Sequence, residues 1–243
     1  MDGVCYLIGA GERFNNIICR PDSDDYVIAV DGGYDYAMHL GITPDLIIGD
    51  FDSMDNHLTE KKLINNRSED DKENLNSAGI PVMSFPPEKD YTDMMLAAMK
   101  AVESGFKTIL IYGGTGGRPD HTYANIQLLS WIAEHGSRAY LFDENFTMTA
   151  ITDSRMNLFS SYRPDKQSGF ITSHGFGYIS VFSLSDVSEG VSINGLKYEA
   201  DNLSLNRFHA LGTSNEFTDS DCSIEVKKGT LLIIAETNHC RNS

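Results

Sequence analysis

The sequence predicts an α/β fold in which an N-terminal, mainly parallel sheet with helices on both faces precedes a C-terminal all-β sandwich domain. Two observations support this prediction. Short apolar runs alternate with amphipathic, helix-like segments up to about residue 142, whereas short alternating runs separated by Gly, Ser and Asn follow it. We therefore expect two domains, residues 1–142 and 143–243.

The first half contains six apolar runs of strand length and three helix-like segments between them. The strands are predicted at Val4–Ile8, Tyr26–Val30, Leu46–Ile48, Pro81–Phe85, Thr108–Tyr112 and Arg138–Phe142. The helices are predicted at Tyr34–Leu40, Thr92–Ser104 and His121–His135, each followed by a glycine. Such alternation favours a parallel sheet covered on both faces. The densely charged stretch Asn65–Ser77 is interpreted as a solvated helix or loop.

The second half contains only strand-like runs, which is typical of a small sandwich or barrel. The strands are predicted at Phe146–Thr152, Gly177–Leu184, Val191–Ile193, Cys222–Val226 and Thr230–Ala235.

Charge and hydropathy exclude several classes of function. The 243 residues include 19 Lys and Arg against 35 Asp and Glu, a formal charge of −16, which argues against general affinity for nucleic acid or anionic membranes. No apolar stretch approaches the roughly 20 residues that span a bilayer, and Met1–Ile8 does not resemble a secretory signal. The four cysteines lack metal-binding spacing and are interpreted as incidental thiols. We expect a cytoplasmic protein.

Acidic residues follow the carboxyl ends of predicted strands. Asp31 comes directly after the strand ending at Val30, Asp50 with Asp52 follows the strand ending at Ile48, and Asp120 follows the strand ending at Tyr112. Carboxyl ends of parallel strands share the edge of the sheet where ligands bind, so we expect these carboxylates to lie together. Mg²⁺ is the expected cation between them, because it prefers oxygen ligands and substrate phosphates.

Further acids stand at predicted helix starts. Asp90 and Asp93 flank Thr92, and Asp120 precedes the helix that begins at His121. A purely structural role in the field of the helix dipole explains the first two equally well. A simple turn likewise explains Asp31 with its two following glycines, when that motif is taken alone.

A glycine-rich loop, residues 113–117, separates a predicted strand from a predicted helix. Such loops expose backbone N–H groups to phosphates, and Arg118 adds a guanidinium suited to phosphate oxygens. The loop matches neither the Walker motif nor the dinucleotide fingerprint. His121 is either a packing residue at the helix start or a phosphate contact.

Taken together, these motifs resemble the thiamine pyrophosphokinase family. They occur in the family's order as Asp31-Gly32-Gly33, Gly41-Ile42-x-Pro44-Asp45, Gly49-Asp50-Phe51-Asp52-Ser53, Lys89-Asp90-x-Thr92-Asp93 and Gly116-Gly117-Arg118-x-Asp120-His121-x-x-x-Asn125. The second half adds Gly212-x-Ser214-Asn215-Glu216 and Gly229-x-Leu231-Leu232, which resemble the family's thiamine-binding domain.

The resemblance implies a homodimeric enzyme, with its active site at the subunit interface, that transfers the diphosphate group of ATP to thiamine and releases AMP. It implies a catalytic domain for ATP and metal over residues 1–142 and a thiamine-binding domain over residues 143–243. By matching positions, it implies metal binding by Asp50 and Asp52. The implied catalytic acids are Asp31, Asp50, Asp52, Asp90 and Asp120, and the implied binding residues are Lys89, Asp93, Gly116, Gly117, Arg118 and His121 for ATP, with Ser214 and Asn215 of the partner subunit for thiamine.

Two other classes of function remain open from sequence. A different magnesium-dependent nucleotide phosphotransferase or a diphosphate hydrolase would use the same acids, in the second case to activate water. A non-catalytic nucleotide-binding module would keep the fold without turnover. The residue that accepts the hydroxyl proton also stays open among Asp31, Asp52, Asp90 and Asp120.

Overall fold

A computed structural model describes residues 3–14, 19–49, 74–75, 79–85, 90–158, 171 and 177–236. The helices are α1 (Gly33–His39), α2 (Asp93–Glu103) and α3 (Pro119–Glu134). The strands of the first half are β1 (Val4–Ile8), β2 (Tyr26–Val30), β3 (Leu46–Gly49), β4 (Asn74–Leu75), β5 (Pro81–Ser84), β6 (Thr108–Tyr112) and β7 (Arg138–Phe142). Those of the second half are β8 (Phe146–Thr152), β9 (Arg155–Leu158), β10 (Tyr178–Ser183), β11 (Val187–Asn194), β12 (Ala200–Asn206), β13 (Gly212–Glu216), β14 (Cys222–Glu225) and β15 (Thr230–Glu236).

Most of these strands form one sheet of 11 strands, in the order β13-β10-β15-β8-β7-β6-β1-β2-β3-β5-β4. Its middle, from β7 to β5, is parallel throughout, and β4 is antiparallel to β5. The remaining strands form a second, antiparallel sheet in the order β12-β11-β14-β9. The predicted combination of a mainly parallel sheet with a C-terminal antiparallel β unit is confirmed.

Alternate residues of β1 face two separate hydrophobic cores. Cys5 and Leu7 belong to the core that contains buried residues of α2 and α3. Tyr6 and Ile8 belong to the core that contains residues of α1 and of the four-stranded sheet. The parallel sheet is therefore covered on both faces, and the second sheet completes the cover on the α1 side.

The sheet continues across the predicted domain boundary. Strands β7 and β8 pair antiparallel, with Tyr140 opposite Thr149, and the Thr149 hydroxyl donates a hydrogen bond of 2.7 Å to the carbonyl of Ala139. The C-terminal strands β8, β15, β10 and β13 thus extend the N-terminal sheet at one end. The division of the chain at residue 142 stays a prediction.

Several elements differ from the sequence expectations. Helix α3 begins at Pro119, two residues earlier than predicted, because a proline at the first helical position needs no N–H partner. The predicted helix or loop over Asn65–Ser77 is wrong at residues 74–75, which form β4, and the rest of it lies outside the described residues. Strands β9, β12 and β13 were not predicted, because their sequences are short or polar. Among the described residues, no helix is long and apolar enough to cross a membrane.

Candidate active site

The order of the parallel strands creates a crevice beside β1. The chain proceeds from β1 to β2 and β3 on one side, and from β6 to β7 on the other, so the connections that leave β1 and β6 lead to opposite sides of the sheet. Ligands bind at such switch points, outside the carboxyl ends of the strands. A pocket of about 980 Å³ opens there. It is lined by the loops after β1, β2 and β6 and by the start of α2.

Two glycine-rich loops that line this pocket are joined by backbone hydrogen bonds. The N–H of Gly9 donates to the carbonyl of Tyr112 at 2.8 Å, and that of Gly11 to the carbonyl of Gly113 at 2.8 Å. The N–H of Glu12 then donates to the carbonyl of Thr115 at 2.7 Å. The ladder between β1 and β6 thus continues beyond both strands and fixes the two loops against each other.

Glycine is required for this close approach. A Cβ on Gly11 would lie 2.2 Å from the carbonyl oxygen of Thr115, and a Cβ on Gly113 would lie 2.3 Å from that of Gly9. Gly113 also has a φ of +63°, which side chains rarely adopt. The side chain of Asn125 on α3 supports the second loop, because its buried amide donates a 2.7 Å hydrogen bond to the carbonyl of Gly114.

Asp31 stands at the end of β2 in a left-handed conformation, with φ of +50°. Its N–H donates a 2.8 Å hydrogen bond to the carbonyl of Ile48, so it lies beside the end of β3. Its Oδ1 is buried, and a Cβ on Gly49 would lie 2.5 Å from that oxygen. Strained backbone is concentrated at functional sites, and this carboxylate lines the pocket as the sequence predicts.

The start of α2 brings two more predicted acids to the same pocket. Thr92 caps the helix, because its hydroxyl accepts the N–H of Met95 at 3.2 Å. Asp90 and Asp93 on either side of Thr92 both line the pocket. The capping role therefore belongs to Thr92, and both carboxylates are placed where a ligand could meet them.

Arg118 and Asp120 form a two-pronged ion pair at the start of α3. The guanidinium donates from Nε to Oδ1 at 3.2 Å and from Nη2 to Oδ2 at 2.5 Å. This hydrogen bonding holds the pKa of Asp120 at about 2, below its ordinary value of 3.8, and raises that of Arg118. Arg118 lines the pocket, whereas Asp120 does not and reaches it only through Arg118.

The pKa of Asp120 gives a first testable expectation. A carboxylate whose pKa is lower in the folded protein stabilises the fold fully at any pH above its pKa in the unfolded chain. This stabilisation is lost as the pH falls through the pKa in the folded protein. The Arg118–Asp120 pair should therefore persist from neutral pH down to about pH 4 and break only near pH 2. A ¹³C NMR titration of the Asp120 carboxyl should give a midpoint well below that of Asp120 in an Arg118→Gln variant. Equal midpoints would show that the pair does not form in solution.

The remaining predicted site residues fall into three groups. Gly116, Gly117 and exposed His121 line the pocket together with Arg118. The positions of Asp50, Asp52 and Lys89 lie outside the described residues. Ser214 and Asn215 do not line the pocket but lie on β13, the outermost strand at the far end of the large sheet.

Ser214 and Asn215 occupy an irregular part of that edge strand. The pairing between β10 and β13 shifts register near Ser214, whose φ is +58° and whose N–H donates to the Ser180 hydroxyl at 3.0 Å. The Asn215 side chain is buried and bonds the backbone of Tyr198, donating to its carbonyl at 2.7 Å and accepting its N–H at 2.9 Å. Bulges of this kind re-aim side chains next to active sites.

The sequence interpretation missed the loop after β1. Gly9, Gly11, Glu12 and Arg13 line the pocket, yet none was predicted as a site residue. A Gly-Ala-Gly sequence directly after the first buried strand is the signal that could have identified it. Outside the pocket, Cys5 and Cys222 are buried, and burial raises the pKa of both thiols, that of Cys222 to about 12, which disfavours the reactive thiolate.

Two family profiles match successive parts of the chain. Residues 21–141 match the family profile of the thiamin pyrophosphokinase catalytic domain, and residues 169–231 match that of the thiamin pyrophosphokinase vitamin B1 binding domain. Thiamine pyrophosphokinase of Bacillus subtilis is 28% identical over 211 residues, 87% of each chain. Thiamin pyrophosphokinase 1 of Caenorhabditis elegans is 25% identical, over 80% of this chain and 71% of the relative.

A solved structure shows the same fold over nearly the whole chain. The crystal structure of thiamine pyrophosphokinase from Bacillus subtilis superposes with a TM-score of 0.75 at 26% identity, covering 97% of this chain and 99% of that one. The family profile of the catalytic domain covers the candidate pocket from Asp31 to Asn125, and the second profile covers β10 to β14 with Ser214. The chain belongs to the thiamin pyrophosphokinase family.

Proposed function

We propose that this protein transfers the diphosphate group of ATP to the hydroxyl of thiamine, giving thiamine diphosphate and AMP. The observation that carries the proposal is a pocket lined by two joined glycine loops together with Asp31, Asp90 and Asp93. A glycine-lined surface beside carboxylates suits a metal-bound polyphosphate. The family to which the chain belongs supplies the identity of the acceptor.

The pocket contains several groups that favour phosphate. Helices α2 and α3 both begin beside it, and helix N-termini carry partial positive charge. Gly116 and Gly117 present backbone without side chains next to Arg118. In our proposal these groups position the ATP phosphates so that the thiamine hydroxyl attacks the β-phosphorus in line, while AMP leaves with the electrons of the broken P–O bond.

Magnesium fits the donor set of the pocket. The acidic lining residues offer only oxygen donors, and a buried carboxylate oxygen of Asp31 lies beside the end of β3. Among the described residues, no group of three or more ligands is close enough to hold a metal by itself. We propose that Asp50 and Asp52, which follow β3 in sequence, hold the ion together with substrate phosphates and water, as Mg²⁺ prefers. When bound, the ion neutralises negative charge on the transferring phosphates.

We propose a narrower choice of the residue that accepts the hydroxyl proton. A carboxylate whose pKa is about 2 is a weak base at neutral pH, and Asp120 is also held by Arg118 outside the pocket lining. We therefore propose that Asp120 orients Arg118 and that the hydroxyl proton passes to Asp31 or Asp90. Both of these residues line the pocket.

The function is tested by following both products. Purified protein is incubated with ATP, Mg²⁺ and thiamine, and AMP and thiamine diphosphate are quantified together, with parallel reactions that lack thiamine or Mg²⁺. One AMP for each thiamine diphosphate is expected. AMP or ADP formed without thiamine would instead identify a hydrolase, and ATP binding without turnover would identify a regulatory module.

We propose a homodimer whose active site lies at the subunit interface. Five strand spacings separate β13 from β6, or about 24 Å at the usual interstrand distance. Ser214 is thus too far along the sheet to meet a ligand in the pocket of its own chain. Exposed Tyr178, Tyr198, Phe208 and Leu211 lie on or near β10, β12 and β13 and offer apolar surface to a second copy.

A mixed-subunit experiment tests the shared site. Chains with Asp31→Asn and chains with Ser214→Arg should each be inactive, and light scattering should give twice the chain mass of 26.9 kDa for each. Co-expression should restore about a quarter of the wild-type activity, because about half of the dimers are mixed and one of the two sites in each mixed dimer is intact. If Asp31 and Ser214 served a site within one chain, mixing would restore nothing.

We also propose a cytoplasmic location. The cysteines within the described part of the chain, Cys5, Cys19 and Cys222, are free, which is typical of proteins in reducing compartments. Fractionation of cells that express the tagged protein should recover it with cytoplasmic markers.

A further inference from the structure

Arg13 lies in the pocket on the loop after β1. This loop stands between the glycine loop after β6 and the Asp31 turn after β2, because β1 is the strand between β6 and β2. The Arg13 side chain is exposed. Among the residues the structure describes, no carboxylate forms an ion pair with it.

The other arginine of the pocket is already engaged. Arg118 directs its guanidinium to Asp120 through two hydrogen bonds. The lining also includes the acids Glu12, Asp31, Asp35, Asp90 and Asp93. A polyphosphate in such surroundings needs a cation whose donors are available, and a guanidinium bonds phosphate oxygens through two parallel N–H groups. Arg118 keeps only part of its five N–H groups for such a contact, whereas Arg13 forms no ion pair with a carboxylate of the described lining.

The backbone on both sides of Arg13 is anchored. On one side, the N–H of Glu12 donates to the carbonyl of Thr115. On the other, the hydroxyl of Tyr36 accepts the N–H of Phe14 at 2.8 Å and donates to the carbonyl of Phe14 at 3.1 Å. Tyr36 is fully buried on α1, and its burial raises its pKa, so the hydroxyl keeps the proton that it donates.

We propose that Arg13 binds the phosphates of ATP and that Tyr36 is the positioning residue which holds the Arg13 loop for this contact. The inference rests on the proposed use of the pocket for ATP. Arg13 then provides the direct charge-assisted contact, whereas Tyr36 acts only through the backbone of Phe14. The loop after β1 is thereby a second phosphate-binding element, separate from the loop that carries Arg118.

Calorimetry tests the contact without turnover when the ligand is an ATP analogue whose α–β bridging oxygen is replaced by methylene. The titration is carried out in the presence of Mg²⁺. Arg13→Gln should raise the dissociation constant about 10- to 100-fold, the range expected for loss of a charge-assisted hydrogen bond. Arg13→Lys should recover part of the affinity. Arg20→Gln is the matched control, because Arg20 lies outside the pocket and bonds the carbonyl of Leu40 at 3.0 Å, so it should bind as wild type does.

Tyr36→Phe tests the positioning role through coupling. This variant should weaken analogue binding, and the double variant with Arg13→Gln should bind no more weakly than Arg13→Gln alone, because both changes remove the same contact. The Michaelis constants of the Tyr36→Phe variant should agree with the binding data: the constant for ATP should rise, and the constant for thiamine should stay within about twofold of the wild-type value. Additive losses in the double variant would overturn the role of Tyr36, whatever its effect on stability.

Two outcomes would overturn the role of Arg13. One is an Arg13→Gln variant that binds the analogue within about twofold of wild type. The other is an equal loss of affinity in Arg20→Gln, which would indicate a general effect of charge. If the wild type binds the analogue but makes no thiamine diphosphate, the proposed function fails, and the binding comparison still decides whether Arg13 contacts phosphate.

Discussion

Asp31→Asn should lower kcat/KM by about 100- to 10,000-fold, the range associated with loss of a proton acceptor in the active site. Asparagine keeps the shape of the side chain and tolerates the positive φ of this position, so the fold should be retained. Only the negative charge beside the end of β3 is removed. Steady-state kinetics at saturating Mg²⁺, together with circular dichroism and a melting curve, measure the two effects separately.

Asp153→Asn is the matched control for this change. Asp153 also has a positive φ, +46°, and its Oδ1 accepts the N–H of Gly229 at 2.7 Å in the turn between β8 and β9, away from the pocket. The Asp153→Asn variant should retain wild-type kinetics, because the asparagine amide oxygen can accept the same hydrogen bond. If the Asp31→Asn variant kept the wild-type kcat/KM, Asp31 would have no catalytic role.

Gly11→Ala should have the second large effect, on both activity and stability. The added Cβ would approach the carbonyl oxygens of Thr115 and Gly113 to 2.2 and 2.6 Å, so the loops after β1 and β6 must separate. We expect destabilisation of about 1–3 kcal/mol from overpacking. We also expect a loss of kcat/KM of about 100-fold, since a displacement of about 1 Å at a site of this kind can have that effect. Urea unfolding and steady-state kinetics provide the two measurements.

Gly136→Ala separates activity from stability. Gly136 follows α3 with a φ of +73°, and a Cβ there would meet no atom within 4 Å. The substitution should destabilise the protein by about 1–2 kcal/mol through backbone strain alone and leave the kinetics unchanged. If Gly11→Ala also kept full activity, the close contact of the two loops would have no bearing on catalysis.

Apolar patterning was sufficient to predict the parallel sheet. Each of its six strands is a short apolar run, and β1, β2, β6 and β7 have the predicted bounds. The edge strands could not be found in this way. The sequence of β13, Gly-Thr-Ser-Asn-Glu, has no apolar residue, and the strand exists because β10 offers it hydrogen bonds and the Asn215 amide bonds the backbone of Tyr198.

The candidate site was predictable where a residue follows the end of a strand. Asp31, Gly116 and Gly117 could be placed by that rule, and they do line the pocket, whereas Asp120, expected at the same edge, pairs with Arg118 and does not line it. The Arg118–Asp120 pair was not predictable, because two residues of opposite charge near a helix start can face apart or together. Neither was the link from Tyr36 to Phe14, which joins residues 22 positions apart only because α1 packs beside β1.

The pairing of β7 with β8 has a consequence for how the protein unfolds. Because the hydrogen bonds of the large sheet pass without interruption from Phe142 to Thr147, a chain cut between residues 142 and 143 would leave an open strand edge on each piece. Open edges pair with other chains, so separately produced pieces should aggregate. The intact chain should unfold in one cooperative transition, in which the pocket and the far edge strand are lost together.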